Sequence, residues 1–214
     1  MSILHCKKQK DCFIIYHPKM YFSIIMCNDT LYQEARWFFL QQWRSDLLSR
    51  EPSSLIGAYI VTQQMYKLWK TWFSFISGVH SYEEMYFSVS HSEDIIAVTI
   101  DSKKVAIDLE YIRPRDESLL QNVRIPDSPF WPWENFYLQW CAKECLVKYL
   151  DLTSSQMQEM AVKAFMTNHH FAVEWREFNL LIILLYRWKE HPVHVNIKDW
   201  VVIAFLRQDD YLSK

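Results

Sequence analysis

The sequence predicts an α+β fold of two similar halves, each a small antiparallel sheet packed on helices. Three observations lead there. Apolar residues recur at helical spacing over 31–48, 55–69 and 136–150, and at strand spacing over 85–109 and 161–206. The string His91-Ser92-Glu93-Asp94-Ile95-Ile96-Ala97-Val98 is echoed by Asn196-Ile197-Lys198-Asp199-Trp200-Val201-Val202-Ile203-Ala204, a weak internal repeat of polar turn, Asp and apolar strand. Between the two lies a stretch rich in charge and proline, 113–133, with Pro114, Pro126, Pro129 and Pro132. It reads as a connection, so the halves are placed at 1–112 and 113–214.

Taken in order, the runs 13–16 and 21–27 are aromatic and β-branched and flank His17-Pro18-Lys19, which predicts two early strands or a hairpin. Asn28-Asp29-Thr30 offers helix-capping chemistry ahead of a long helix over 31–48. Pro52-Ser53-Ser54 starts another helix towards Trp69, and Gly57 within it permits a close helix contact. The period then changes: 85–90 alternates, 95–100 is a compact apolar strand and 105–109 another, most simply three antiparallel strands. After the connection, 136–150 is uninterrupted by Gly or Pro and reads as a helix. Strand signals return at 161–166, 171–175, 180–186, 193–197 and 200–206, followed by a polar tail.

Composition narrows the function. The 214 residues are half hydrophobic, enough for a sizeable core, and contain only two glycines. No Gly-rich phosphate loop is present. A formal net charge of −2 disfavours a nucleic-acid binder that works by phosphate neutralisation. Five cysteines without CxxC spacing indicate neither a disulfide framework nor a structural zinc site. The longest apolar run, 180–186, is too short to span a bilayer, so the expectation is a soluble, cytoplasmic protein.

Three stretches carry chemistry. On the helix 136–150, Trp140, Lys143, Glu144 and Lys148 fall within one sector, the carboxylate flanked by two ammonium groups. Asp108 and Glu110 lie two apart in the strand Val105-Ala106-Ile107-Asp108-Leu109-Glu110, so alternation puts both carboxylates on one face. Hard divalent cations such as Mg²⁺ take this ligand type. Ser90-His91-Ser92 follows a strand and precedes another, in a turn where it could meet a phosphate or simply cap the turn. No GxSxG elbow exists. His169-His170 and 191–194 read as ordinary turn or surface residues.

In order and approximate spacing, these stretches resemble the signature of the 4′-phosphopantetheinyl transferases, most nearly the surfactin-synthetase-activating type. The family patterns are a Ser-His-Ser turn, a Gly-hydrophobic-Asp-hydrophobic-Glu strand and a Trp-x-x-Lys-Glu-x-x-x-Lys helix, the last being the most specific. Here they read Ser90-His91-Ser92, Ala106-Ile107-Asp108-Leu109-Glu110 and Trp140-Cys141-Ala142-Lys143-Glu144-Cys145-Leu146-Val147-Lys148. The resemblance covers about 55–150. It implies a pseudo-dimeric fold and Mg²⁺-dependent transfer of the phosphopantetheine arm of coenzyme A to a serine of an acyl or peptidyl carrier protein, releasing adenosine 3′,5′-bisphosphate.

By the same resemblance, Asp108, Glu110 and Glu144 hold the metal, and Glu144 is also the base that takes the serine proton. Lys148 pairs with the phosphate and steadies the charge that develops, while Ser90, His91 and Lys143 also meet the coenzyme's phosphates. The implied partners are coenzyme A and a carrier protein, with no nucleic acid and no membrane. A single chain holding both halves is expected to be a monomer. The sequence departs from the pattern at several places: Ala106 stands for Gly, Ser88 for Asn, Cys145 for Ala or Ser, Ser77-Gly78-Val79-His80 for Gly-Lys-Pro, and Ser53 and Ser54 where an Arg often precedes 55–57. Two alternatives stand beside this reading. A metal-dependent nuclease wants a Lys where Ile112 stands, and a catalytically degenerate homologue would bind carrier proteins without transfer.

Overall fold

Local chemistry sets where each helix begins. The computed structural model describes residues 5–9, 12–17, 20–69, 81–122, 130–167, 177–198 and 200–208, without the side chains of 5–20, 68–69, 122, 167 and 177–179. The expected strand at 171–175, the pair His169-His170, the segment 77–80 and the tail beyond 208 lie outside the described residues. Contacts divide the chain into two compact units, Met1–Val105 and Ala106–Lys214.

The first unit runs β1 (His5–Gln9), β2 (Cys12–His17), β3 (Met20–Met26), α1 (Asp29–Gln41), α2 (Ser45–Leu48), α3 (Pro52–Trp69), β4 (Ser81–Tyr82), β5 (Met85–Ser92) and β6 (Ile95–Asp101). Its sheet has the order β1-β2-β3-β6-β5-β4, every neighbouring pair antiparallel. Asn28 caps α1 as expected, its side-chain oxygen accepting from the Leu31 amide at 2.9 Å. The long helix expected over 31–48 is instead two, because Trp43 takes φ 56°, a left-handed conformation that no helix passes through.

Helix α3 lies on the face of β5 and β6 that carries Met85, Phe87, Ile96, Val98 and Ile100. Gly57 is where it comes closest: a Cβ there would stand 2.6 Å from Val89 Cγ1. Gly57→Ala is expected to lower stability by about 1 kcal/mol net, since overpacking costs roughly 1–3 kcal/mol and helix propensity returns about 1. A urea midpoint unchanged or raised would contradict this reading of the contact.

The second unit holds β7 (Val105–Tyr111), α4 (Pro132–Leu150), β8 (Ala161–Thr167), β9 (Glu177–Tyr186), β10 (Lys189–Lys198) and β11 (Val201–Arg207), in the sheet order β7-β11-β10-β9-β8. Two corrections follow. The strand with Asp108 and Glu110 does not continue the β5-β6 meander: it neighbours β11, tied by the Ile112 amide to Trp200 O at 2.7 Å. The division therefore falls at 105/106, not 112/113, and both carboxylates belong to the second unit. Helix α4 also begins four residues before 136, with Pro132 in its first turn and the Trp131 amide donating to Glu134 at 2.8 Å.

In the first sheet β6 lies beside β3, and in the second β11 lies beside β7. The echoed strings are the β5-β6 and β10-β11 hairpins, with Ser92 opposite Ile95 and Lys198 opposite Val201. Tyr137, Leu138, Cys141 and Leu146 of α4 pack on Ile182, Leu184, Val193, Val202 and Ala204, and each large apolar side chain so buried contributes about 1.5–3 kcal/mol. Among the described residues no helix is long and apolar enough to cross a membrane.

His191, expected at the surface, is 6 % exposed, on the face of β10 that also buries Val193, Val195 and Ile197. Burial, helped by Lys189, pushes its imidazole below the ordinary 6.5. The unfolded chain therefore binds the proton more readily, so this contribution to stability is present above pH 6.5 and lost as pH falls through the lowered folded value. Urea midpoints should drop on acidification from pH 7.5 to 5.5, and His191→Gln should flatten the drop. An equally steep drop in the variant would contradict the assignment.

Candidate active site

Alternation along β7 turns Ala106, Asp108 and Glu110 to one face, and Ala106 and Ile112, the latter just past the strand's end, join the core that α4 covers. The expected sector of α4, Trp140, Lys143, Glu144 and Lys148, is the half-buried side of that helix. The two elements meet at one pair: Lys148 Nζ donates to Asp108 Oδ1 at 2.7 Å and to Ile107 O at 3.2 Å. The Asp108 side chain is 3 % exposed and that of Lys148 23 %. Burial works against the ammonium, but Asp108, through charge and hydrogen bond, and then Glu144 outweigh it and hold Lys148 above its ordinary value.

Glu144 lies one turn before Lys148, half-buried and, among the described residues, without a hydrogen-bond partner. Burial raises its carboxyl, the charges of Asp108 and Glu110 add to the rise, and Lys148 opposes it. A carboxylate so placed holds a proton more tightly than a solvated one, which suits a general base. Lys143 is pushed down by burial. Glu110 is drawn to Arg115 at 3.5 Å, whose guanidinium sits over the Tyr137 ring at 5.4 Å. Trp140 stacks on Phe136, ring centroids 5.7 Å apart, and so packs the helix.

The Cys145 thiol donates to Ala106 O at 3.4 Å, and both residues are buried between β7 and α4. Cys141 is fully buried, and burial together with Asp108 and Glu110 lifts its thiol well above the ordinary value.

The second unit thus brings together Asp108, Glu144 and Lys148, with Glu110 near enough to act on Glu144. It does not gather the three carboxylates on one point: among the described residues no group of three or more His, Cys, Asp or Glu could hold a metal ion. Lys148 engages Asp108 and Arg115 lies near Glu110.

Ser90, His91 and Ser92 lie in the first unit, where they form the end of β5 instead of a turn; the turn is Glu93 and Asp94, Glu93 taking φ 54°. Alternation also separates the first two. His91 shares the α3 face with Phe87 and Val89, while Ser90, 7 % exposed, is on the other. Sequence reasoning missed the neighbours of His91: Ser53 Oγ is 3.2 Å from Nδ1 and Ser54 Oγ 3.1 Å from Nε2. The signal was present, a helix-starting serine pair and a His on the strand face that meets that helix. Compared with known proteins, the chain matches no protein-family model and no curated protein.

Proposed function

We propose that the chain transfers the 4′-phosphopantetheine arm of coenzyme A to a serine of an acyl or peptidyl carrier protein. The observation that carries this reading is the Lys148–Asp108 ion pair beside the raised carboxyl of Glu144. Transfer of a phosphoryl-type group asks mainly for positioning and charge, and three such groups from a strand and a helix provide both. The echoed hairpins of the two units support the pseudo-dimeric fold of that family.

In this reading Glu144 accepts the proton of the carrier serine as its oxygen meets phosphorus. Lys148 steadies the negative charge passing to the departing bisphosphate. Lys143, Ser90 and His91 are assigned to the coenzyme's phosphates. Asp108, Glu110 and Glu144 would hold Mg²⁺, their oxygens being the donors it prefers, but only once their side chains turn to a common point, since as placed they form no such group. Bound there, the ion would supply charge neutralisation at the pyrophosphate.

The test is release of adenosine 3′,5′-bisphosphate from coenzyme A with Mg²⁺, followed by chromatography. Release is expected only when an apo carrier protein is added. A second reading, a homologue that binds carriers without transfer, draws on the separation of the three carboxylates. Carrier binding without release, for several carriers, would favour it and contradict the transferase.

A further inference from the structure

The first unit contains a hydrogen-bonded chain of side chains that shares no residue with the set Asp108, Glu144 and Lys148. Ser53 and Ser54 occupy the first turn of α3, and their hydroxyls bracket the ring of His91, on Nδ1 at 3.2 Å and Nε2 at 3.1 Å. Serines in a first turn ordinarily serve backbone amides. Here both oxygens lie within hydrogen-bond reach of one imidazole instead.

A neutral imidazole has one donor and one acceptor nitrogen. With Nδ1–H donating to Ser53, Nε2 is left to accept the proton of Ser54. That is the order of nucleophile, base and orienting group by which a serine is activated on unrelated folds. Exposure fits the same order. Ser53 is 7 % exposed and closed to substrate, while Ser54 and His91 are half-buried and within reach of one.

The backbone adds a place for negative charge. The first i→i−4 hydrogen bond of α3 runs from the Leu55 amide to Glu51 O at 3.0 Å. The amides of Ser53 and Ser54 precede it, at the positive end of an 18-residue helix. An oxyanion formed beside Ser54 Oγ develops next to them.

We infer that Ser54 is a nucleophilic serine activated by His91, with Ser53 as the positioning residue, and that this site accepts acyl or phosphonyl groups from small activated esters. The Ser54 Oγ–carbon bond forms as its proton passes to His91 Nε2. The ester carbon–oxygen bond then breaks, and the leaving alcohol takes that proton. Water hydrolyses the acyl-serine by the same route in reverse. Nothing in these steps draws on the transferase reading, although the same imidazole is assigned there to a phosphate.

The experiment treats the full chain with a fluorophosphonate in the absence of coenzyme A, so that the outcome is independent of phosphate binding, and maps the adduct by peptide mass. Fluoride leaves as the Ser54–phosphorus bond forms. The adduct is expected on Ser54 and absent in Ser54→Ala. Labelling should slow about 100-fold or more in His91→Ala and about 10-fold in Ser53→Ala, with Ser53→Thr restoring it because the hydroxyl returns. Far-ultraviolet circular dichroism shows that each variant is folded. No adduct, an adduct on another residue, or an equal rate in folded His91→Ala would overturn the inference.

Discussion

Lys148→Met is expected to lower the unfolding free energy by about 3–5 kcal/mol, the largest stability loss of any substitution considered for the chain. The reason is what it leaves behind. Asp108 is 3 % exposed, and its Oδ1 takes a hydrogen bond from that ammonium at 2.7 Å. Without Lys148 a charge remains in a setting that disfavours it. Asp108→Asn/Lys148→Met removes both charges and should recover about 2 kcal/mol relative to Lys148→Met alone, because a neutral amide costs less to bury than a carboxylate. Urea unfolding of the two single variants and the double variant gives the coupling directly. Additive losses would mean that the ion pair does not hold the strand to the helix.

The pH dependence follows in sign. A lysine held above its ordinary value contributes stability that is fully present below 10.5 and declines as pH rises through the folded value. At neutral pH the pair is therefore intact.

On the transferase reading, Glu144→Gln is expected to reduce the transfer rate by about 10²–10⁴-fold, the usual contribution of a positioned base. Its effect on stability goes the other way. The carboxyl of Glu144 is raised above the ordinary 4.5, chiefly by burial and next by Asp108, so the folded chain holds the proton more tightly than the unfolded one. This group costs stability as pH rises through the window above 4.5, and Gln does not titrate. At pH 7 the variant should be no less stable than the native chain while its kcat collapses. A variant that keeps its rate would remove Glu144 from the role of base, and one that loses rate and stability together would make the role structural.

Those two residues were legible in the sequence because helical spacing alone places Glu144, Lys143 and Lys148 in one sector. Asn28 as a cap, Pro52 as a helix start and the paired hairpins were legible for the same reason: each is decided within a few residues. The partner of β7 was not. Val105–Tyr111 follows β6 after a short turn and reads as the third strand of a meander, yet its neighbour is Val201–Arg207, far along the chain. Which strand fills a sheet edge depends on where the helix between them packs, and no local pattern records that.

Turns were hidden for a different reason. With two glycines in the chain, the left-handed positions among the described residues fall to Trp43, Glu83, Glu93, Asp151, Arg187, Trp188 and Trp200, of which only Asp151 signals a turn by type. The break after α1 and the Arg187-Trp188 connection between β9 and β10 were illegible on that account. Ser53 and Ser54 against His91 required a helix and a strand to be packed before the three could be seen together.

One measurement tests the central claim most directly: the mass of an apo carrier protein after incubation with coenzyme A, Mg²⁺ and the chain. Glu144→Gln is run in parallel. The transferase reading predicts that the native chain adds one phosphopantetheine arm to the carrier serine and that the variant, folded by its urea midpoint, adds none on the same timescale. A carrier mass left unchanged by the native chain across acyl and peptidyl carriers, or raised equally by both proteins, would contradict it.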